Sequence, residues 1–289
     1  MTLHVKRDDL IHPTVQGNKW RKLHRTLARL QREGVPGVVS FGGAFSNSLH
    51  ALAHAGPLFQ LQTAAILRGV AADFSNPTLA EALRQGMRLF PVPKTEYDQK
   101  MDSLVVQAIV AQFPGFAIVP EGGATAEGLE GCADIAREIR AEFPDVPSER
   151  LFVAVPAGTG CTAAGILAGL EGFGTVLVFP AAAYGVSPGS VAQMLTEAGY
   201  PPRENFHFFT EFIRGKFARP HADILAFAHQ FEQKKGIRLD PFYTSRMMYG
   251  IDQLEQSGFF PPDAVVVAVH TGGLQGWQGF SDRFLGGER

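Results

Sequence analysis

Leu151-Phe152-Val153-Ala154-Val155-Pro156-Ala157-Gly158-Thr159-Gly160-Cys161-Thr162 is the stretch on which the fold reading turns. An apolar run without alternation reads as a strand buried on both faces, the mark of a parallel sheet. A glycine-rich loop follows, then a helix to Leu170. Glycines there let backbone N–H groups approach an anion, and the helix N-terminus adds positive potential. Thr159 and Thr162 add hydroxyl donors. The lysine of a Walker A loop is missing. Gly158, Gly160 and Ala163 match a Gly-x-Gly-x-x-Ala dinucleotide fingerprint, but the next strand ends in Phe179-Pro180-Ala181, without the acid such a site needs. A phosphate monoester fits better than NAD. The alternative is a turn that only permits close helix–strand packing.

Outward from this stretch, strands and helices alternate along the chain. Strands are expected at 3–6, 38–41, 64–67, 88–92, 117–119, 176–179, 206–209 and 265–269. Helices are expected at 19–33, 46–54, 77–85, 101–112, 127–142, 190–198, 222–235 and 246–256. This order implies an α/β fold of right-handed βαβ units, with parallel sheets covered by helices on both faces. Ligands in such folds sit at the carboxyl ends of strands. The loops 42–48, 158–162, 243–244 and 270–273 are expected there, lining one crevice between two sheets.

With 289 residues the chain is long enough for one large or two modest domains. Its net charge of −2 gives no bias toward nucleic acid or anionic membrane. Two cysteines, Cys132 and Cys161, imply no disulfide framework and a reducing compartment. No apolar run suffices to cross a bilayer, and no apolar signal region opens the chain. A cytoplasmic protein is expected. No His-Glu-x-x-His or Cys-x-x-Cys spacing suggests a metal, and no Gly-x-Ser-x-Gly marks a serine hydrolase.

The most informative lysine lies in Gln16-Gly17-Asn18-Lys19-Trp20-Arg21-Lys22-Leu23. Asn18 suits an N-cap, and Trp20, Leu23, Leu27 and Leu30 recur at helical spacing before Gly34. Lys19 thus sits at the positive end of the helix dipole, where a cation is disfavoured. Such a lysine has reason to lose its charge, and a neutral amine is a nucleophile. The bland alternative is a solvated lysine at a helix start. The local basic cluster Lys19, Arg21, Lys22 and Arg25 fits the outer face of the helix. In the loop 40–48, Ser46 and Asn47 open a helix and suit a substrate carboxylate or a phenolate oxygen, or simply cap the helix. Tyr243 can stack on a ring or relay a proton, and Thr244 can meet a ring nitrogen or cap the helix after it. His270 is more simply structural.

Together the pieces Lys6-Arg7-Asp8-Asp9-Leu10, Gly17-Asn18-Lys19-x-Arg21-Lys22-Leu23, Gly42-Gly43-x-x-Ser46-Asn47, Gly158-Thr159-Gly160-x-Thr162-x-Ala164-Gly165, Asp240-Pro241-x-Tyr243-Thr244 and His270-Thr271-Gly272-Gly273 occur in one order along nearly the whole chain. In this the chain resembles the 1-aminocyclopropane-1-carboxylate (ACC) deaminase/D-cysteine desulfhydrase family, a branch of the pyridoxal phosphate enzymes with the tryptophan synthase β-subunit fold. The resemblance implies two three-layer parallel-sheet domains. These are a large cofactor-binding domain of residues 1–24 plus 124–289 and a small domain of residues 25–123.

It also implies a homodimer, a small amino-acid substrate and roles for individual residues. Lys19 corresponds to the Schiff-base lysine and proton carrier, Ser46 to a substrate-facing serine, and Tyr243 to a tyrosine over the substrate. Asn47 corresponds to the partner of the cofactor phenolate. Gly158, Thr159, Gly160, Cys161 and Thr162 form the phosphate loop. Thr244 meets the pyridine nitrogen, and Thr271 completes the cofactor contacts. Cys161 replaces a small serine or glycine, and Phe217 falls where members carry a second tyrosine. ACC deaminases have glutamate where this chain has Thr244. A threonine implies a neutral ring, a weaker electron sink that suffices for β-elimination but less well for opening a cyclopropane. The expected reaction is β-elimination from an amino acid such as D-cysteine, to pyruvate, ammonia and sulfide. ACC deamination, racemisation or dehydration on the same scaffold, and a catalytically inactive pyridoxal phosphate binder, are the alternatives.

Overall fold

The computed structural model describes residues 1–278 apart from 71–72, 214 and 217–218, so Phe217 lies outside the described residues. The chain runs through β1 (Thr2–Lys6), α1 (Asn18–Arg32), β2 (Gly37–Gly42), α2 (Asn47–Leu58), β3 (Gln62–Arg68), α3 (Pro77–Arg84), β4 (Arg88–Val92), α4 (Lys94–Gln99), α5 (Leu104–Val110) and β5 (Ala117–Val119). It continues through α6 (Ala126–Glu142), β6 (Leu151–Ala157), α7 (Cys161–Leu170), β7 (Thr175–Pro180), α8 (Pro188–Glu197), β8 (Phe206–Phe208), the short antiparallel pair β9 (Gly215–Lys216) and β10 (Arg219–Pro220), α9 (Ala222–Lys235), α10 (Thr244–Gln256) and β11 (Val265–Val269). No helix among the described residues is long and apolar enough to cross a membrane.

Two compact units result. One comprises Met1–His12, Gln16–Asn18 and Ala126–Trp277; the other is built on Pro13–Val15 and Lys19–Thr125. The first carries a sheet of order β1-β11-β6-β7-β8 and the second a sheet of order β4-β3-β2-β5. Every neighbouring pair in both sheets is parallel. All residues of β6 and of β2 are buried. That explains their unbroken apolar character, because a central parallel strand has no solvent face to encode. In the first unit Leu177, Phe179, Met247, Ile251 and Val266 share one core. In the second, Leu23, Leu27 and Leu30 of α1 pack with Val38, Leu52 and Ala65.

The structure corrects two expectations. The helix expected over 101–112 is shortened to α5, Leu104–Val110, and α4, Lys94–Gln99, was not expected. A 3-10 turn, Lys100–Asp102, separates α4 from α5, and the Ser103 hydroxyl accepts the Val106 N–H at 3.2 Å to start α5 afresh. Arg21 and Lys22 are not on an outer face but 8% and 3% exposed. Both precede the buried Leu23 in α1, and the Lys22 ammonium donates to the Gly122 carbonyl at 3.4 Å.

Helix α7, which follows the glycine loop, is buried at every residue. It reaches this depth because small residues let it approach α6 closely. A Cβ on Gly165 would sit 2.5 Å from both Cys132 Cβ and the Leu129 carbonyl, and one on Gly169 would sit 2.3 Å from the Ala133 carbonyl. Gly165→Val should therefore overpack this contact and cost about 1–3 kcal/mol of stability in chemical denaturation. An unchanged denaturation midpoint would show that the two helices can separate at no cost.

Candidate active site

In the first unit, the loop from β6 to α7 turns at Gly160, which stands at φ +91° with no side-chain cap on α7. The first amides of such a helix lack intrahelical acceptors and point toward whatever lies before them. Thr162 is 4% exposed, and its hydroxyl accepts the Asn18 amide N–H at 2.8 Å. That leaves the hydroxyl proton of Thr162 to donate, and no acceptor for it occurs among the described residues. Cys161 is the buried first residue of α7, and Thr159 is half-buried. An uncapped helix start with a hydroxyl ready to donate, and no side chain at Gly158 or Gly160, fits a phosphate group in charge and in hydrogen-bond polarity.

Three further segments close on this loop within the same unit. A Cβ on Gly158 would lie 3.4 Å from Tyr243 Cε1 and from the Tyr243 hydroxyl, so the tyrosine ring flanks the loop. Gly17, at φ +61°, meets Thr271: a Cβ there would lie 2.0 Å from the Thr271 carbonyl oxygen. Gly272, at φ +73°, answers from the other side, its would-be Cβ 2.8 Å from Gln16 Cβ. His270 holds that turn in place. Its Nδ1 accepts the Gly272 N–H at 3.2 Å, and its Nε2 lies 2.7 Å from the Arg238 carbonyl. The backbone of Thr271 and Gly17, the Asn18–Thr162 hydrogen bond and the Gly158–Tyr243 contact thus make one connected set.

Tyr243 and Thr244 are positioned by Asp240, a residue to which the sequence assigned no role. Asp240 is fully buried. Its Oδ2 accepts the N–H groups of Phe242 and Tyr243, each at 3.0 Å, and its Oδ1 accepts the Thr244 N–H at 2.6 Å and the Thr244 hydroxyl at 2.7 Å. The capping expected of Thr244 therefore belongs to Asp240, and Thr244 is the first residue of α10. Burial pushes the Asp240 carboxyl up, and the four donors oppose that shift. The signal was present in Asp240-Pro241-Phe242, because an aspartate two residues before a turn amide forms an Asx turn. Asn18 likewise lies one residue inside the helix it was expected to cap, with its amide nitrogen turned to Thr162.

In the second unit, Lys19 occupies the first turn of α1, half-buried. Ser46 caps α2: its hydroxyl accepts the Leu49 N–H at 3.3 Å, as the simpler reading expected. Asn47 is the first residue of α2, half-buried. Gly42 makes room for this cap, since a Cβ there would lie 2.8 Å from Ser46 Oγ. Sequence reasoning missed Arg68, at the carboxyl end of β3. Its Nη2 lies 3.7 Å from the position of a Cβ on Gly43, placing a guanidinium beside the loop read as a carboxylate site. No group able to hold a metal ion occurs among the described residues.

An α/β protein with two parallel sheets and a phosphate-compatible glycine loop at a helix start is of the class that holds a phosphorylated cofactor. The family model described as "Pyridoxal-phosphate dependent enzyme" matches residues 1–272, and the chain belongs to that family. It is therefore a pyridoxal phosphate enzyme of the lyase and deaminase kind. Among its relatives is the D-cysteine desulfhydrase of Klebsiella pneumoniae, 28% identical over 94% of this chain and 86% of that protein. Another is a protein of Pyrococcus horikoshii named "Putative 1-aminocyclopropane-1-carboxylate deaminase", 23% identical over 98% of this chain and 88% of its own length. A crystal structure of an ACC deaminase homologue has the same fold. Its TM-score is 0.82, with 22% identity over 98% of this chain and 88% of that one.

The Gly17 contact yields a controlled comparison. Gly17→Ala places a Cβ against the Thr271 carbonyl in a left-handed backbone, whereas Gly34, at φ +70°, has nothing within 4 Å of its Cβ position. Gly34→Ala should cost about 1 kcal/mol from backbone strain alone, and Gly17→Ala clearly more, with weakened binding of pyridoxal phosphate. Equal costs in thermal denaturation would refute the clasp.

Proposed function

We propose that this enzyme carries out β-elimination on a small amino acid of the D-cysteine type. It takes up one water and releases pyruvate, ammonia and sulfide. Acting through its cofactor, Lys19 is the lysine that holds pyridoxal phosphate and moves the Cα proton. Gly158, Thr159, Gly160, Cys161 and Thr162 bind its phosphate, with Asn18 keeping the Thr162 hydroxyl proton available. Asn47 meets its phenolate oxygen, Thr244 its ring nitrogen, and Thr271 lies against it. Ser46 and Tyr243 face the substrate. Bound, the cofactor supplies an electron sink for charge that develops at Cα. The protein binds and orients the amino acid and carries the proton. Lys19 is suited to the transfer because an amine at a helix N-terminus is disfavoured as a cation.

The observation that carries elimination over ring opening is the residue after Tyr243. It is Thr244, so no carboxylate makes direct contact at that position. Departure of a β-leaving group relieves charge at Cα as it forms, whereas opening a cyclopropane ring has no Cα proton to remove and asks more of the protein. Relatives named D-cysteine desulfhydrase accord with this choice, and relatives named ACC deaminase accord with the alternative, so the choice rests on Thr244. We further infer a cytoplasmic homodimer.

Purified protein should be yellow with bound pyridoxal phosphate, and borohydride should abolish the absorbance band. Lys19→Ala should lose covalent attachment, and its persistence would assign the linkage to another lysine. Pyruvate should form from D-cysteine faster than from L-cysteine, D-serine or ACC. Turnover of ACC alone would overturn the elimination reading, and loss of substrate chirality without pyruvate would identify a racemase.

A further inference from the structure

We propose that His270 and Asp9 are positioning residues for Lys19 that compete at one nitrogen atom. The neutral ring of His270 holds the clasp that fixes the chain just before Lys19, and a proton on that nitrogen, paired with Asp9, releases it. This rests on the function proposed above, in which Lys19 holds the cofactor. It gives a role to Lys6-Arg7-Asp8-Asp9, which the reaction leaves unassigned. Both strands of the clasp hang from this motif. The Gly17 N–H donates to the Asp8 carbonyl at 3.0 Å, and the His270 N–H donates to the Lys6 carbonyl at 2.9 Å. A 3-10 turn, Asp8–Leu10, buries both aspartates. All of these residues belong to the first unit.

The His270 side chain is 1% exposed, and the partners of its two nitrogens define its state. Nε2 lies 2.7 Å from the Arg238 carbonyl, which can only accept, so Nε2 carries a proton. Nδ1 accepts the Gly272 N–H at 3.2 Å, so Nδ1 carries none. The ring in this arrangement is neutral. Asp9 lies on the same side: its Oδ1 stands 3.6 Å from Nδ1, beyond hydrogen-bond distance, and its side chain is equally buried. Arg7 grips both Asp9 oxygens, Nε on Oδ1 at 2.8 Å and Nη2 on Oδ2 at 2.7 Å, which fixes the carboxylate beside the ring. Asp9 is the one acid paired with His270 among the described residues. The Arg238 guanidinium lies instead over the Trp277 ring, 5.4 Å from its centre.

Nδ1 thus has two partners that exclude each other. Without a proton it accepts the Gly272 N–H. With a proton taken up from solvent it donates to Asp9, and the Gly272 N–H then faces another donor and loses its acceptor. A buried amide without an acceptor is costly, so the turn at Gly272 opens. That turn presents the Thr271 carbonyl to Gly17, and Lys19 follows Gly17 by two residues. The sign follows directly: the clasp holds with the ring neutral and is lost as pH falls. Neither His270 nor Asp9 is given contact with substrate or cofactor.

The test compares the wild-type holoenzyme with two variants, each copying one ring nitrogen. His270→Asn puts a carbonyl oxygen where Nδ1 stands and does not titrate. His270→Gln keeps an N–H near the Nε2 position and loses the Nδ1 acceptor. Affinity for pyridoxal phosphate is read by absorbance from about pH 8 down to about pH 5, the range in which an imidazole titrates. Titration of the cofactor itself is common to all the proteins. Below its acid limb the wild type should lose affinity more steeply than His270→Asn, by about ten-fold per pH unit, the slope of one extra proton. His270→Gln should bind more weakly than His270→Asn at about pH 8, and Asp9→Asn should move the wild-type limb to lower pH. 15N NMR of labelled histidine reads the ring without the cofactor: His270 should be the neutral Nε2–H tautomer at about pH 8. Any other ring state there overturns the proposal, as does the same pH slope in wild type and His270→Asn. Should Asp9→Asn fail to fold, the two His270 variants and the ring state decide. A wild type that takes up no pyridoxal phosphate overturns the functional reading and this inference together, whereas a wrong ring state or a shared slope overturns this inference alone.

Discussion

The contact between Gly17 and the Thr271 carbonyl is the constraint on which the site of the first unit depends. A Cβ at Gly17 would lie 2.0 Å from that oxygen, so the two backbones meet directly. Only glycine permits both this approach and the left-handed backbone that accompanies it. The contact places Asn18 within 2.8 Å of Thr162, and so ties the start of α1 to the start of α7. Lys19 is the next residue in the chain. In the role proposed for Lys19, a fixed backbone matters because a small error in position weakens every step it would take part in. His270, read from the sequence as structural, serves this fixation by holding the Gly272 turn.

The second organising element is a buried carboxyl group, Asp240. A lone carboxylate inside a protein is expensive unless its oxygens are filled. Asp240 fills both, with three backbone amides and one hydroxyl. The same four bonds start α10, fix the direction of Tyr243 toward Gly158 and settle which way the Thr244 proton points. The groups that satisfy the carboxyl group include Tyr243 and Thr244, for which roles toward substrate and cofactor are proposed above.

Much of this was legible in the residue order. The unbroken apolar runs of β2 and β6 read as parallel strands because both faces of each are buried. The loop at 158–162 read as an anion site because glycines, hydroxyls and a helix start are local features. Where local rules competed, the reading slipped. The helix expected to begin at residue 101 begins at Leu104, because the Ser103 hydroxyl caps it there, and periodicity does not mark that start. Arg21 and Lys22 looked solvated because charge is ordinarily outside, yet Lys22 is buried with its ammonium on the Gly122 carbonyl.

The sequence by itself determined the class of fold, the parallel pairing and the family, and it nominated the residues proposed here to hold a phosphorylated cofactor. These depend on periodicity and on spacing within single segments, which survive without knowledge of what packs against what. Only the tertiary structure decided which partner each polar group took. Asn18 turned to Thr162 across 144 positions of chain, Gly17 met Thr271, and the Thr244 hydroxyl donated its hydrogen bond to Asp240. A hydroxyl or an amide can both give and accept a hydrogen bond, so its chemistry is set by its neighbours. Those neighbours are brought together by folding, not by order along the chain.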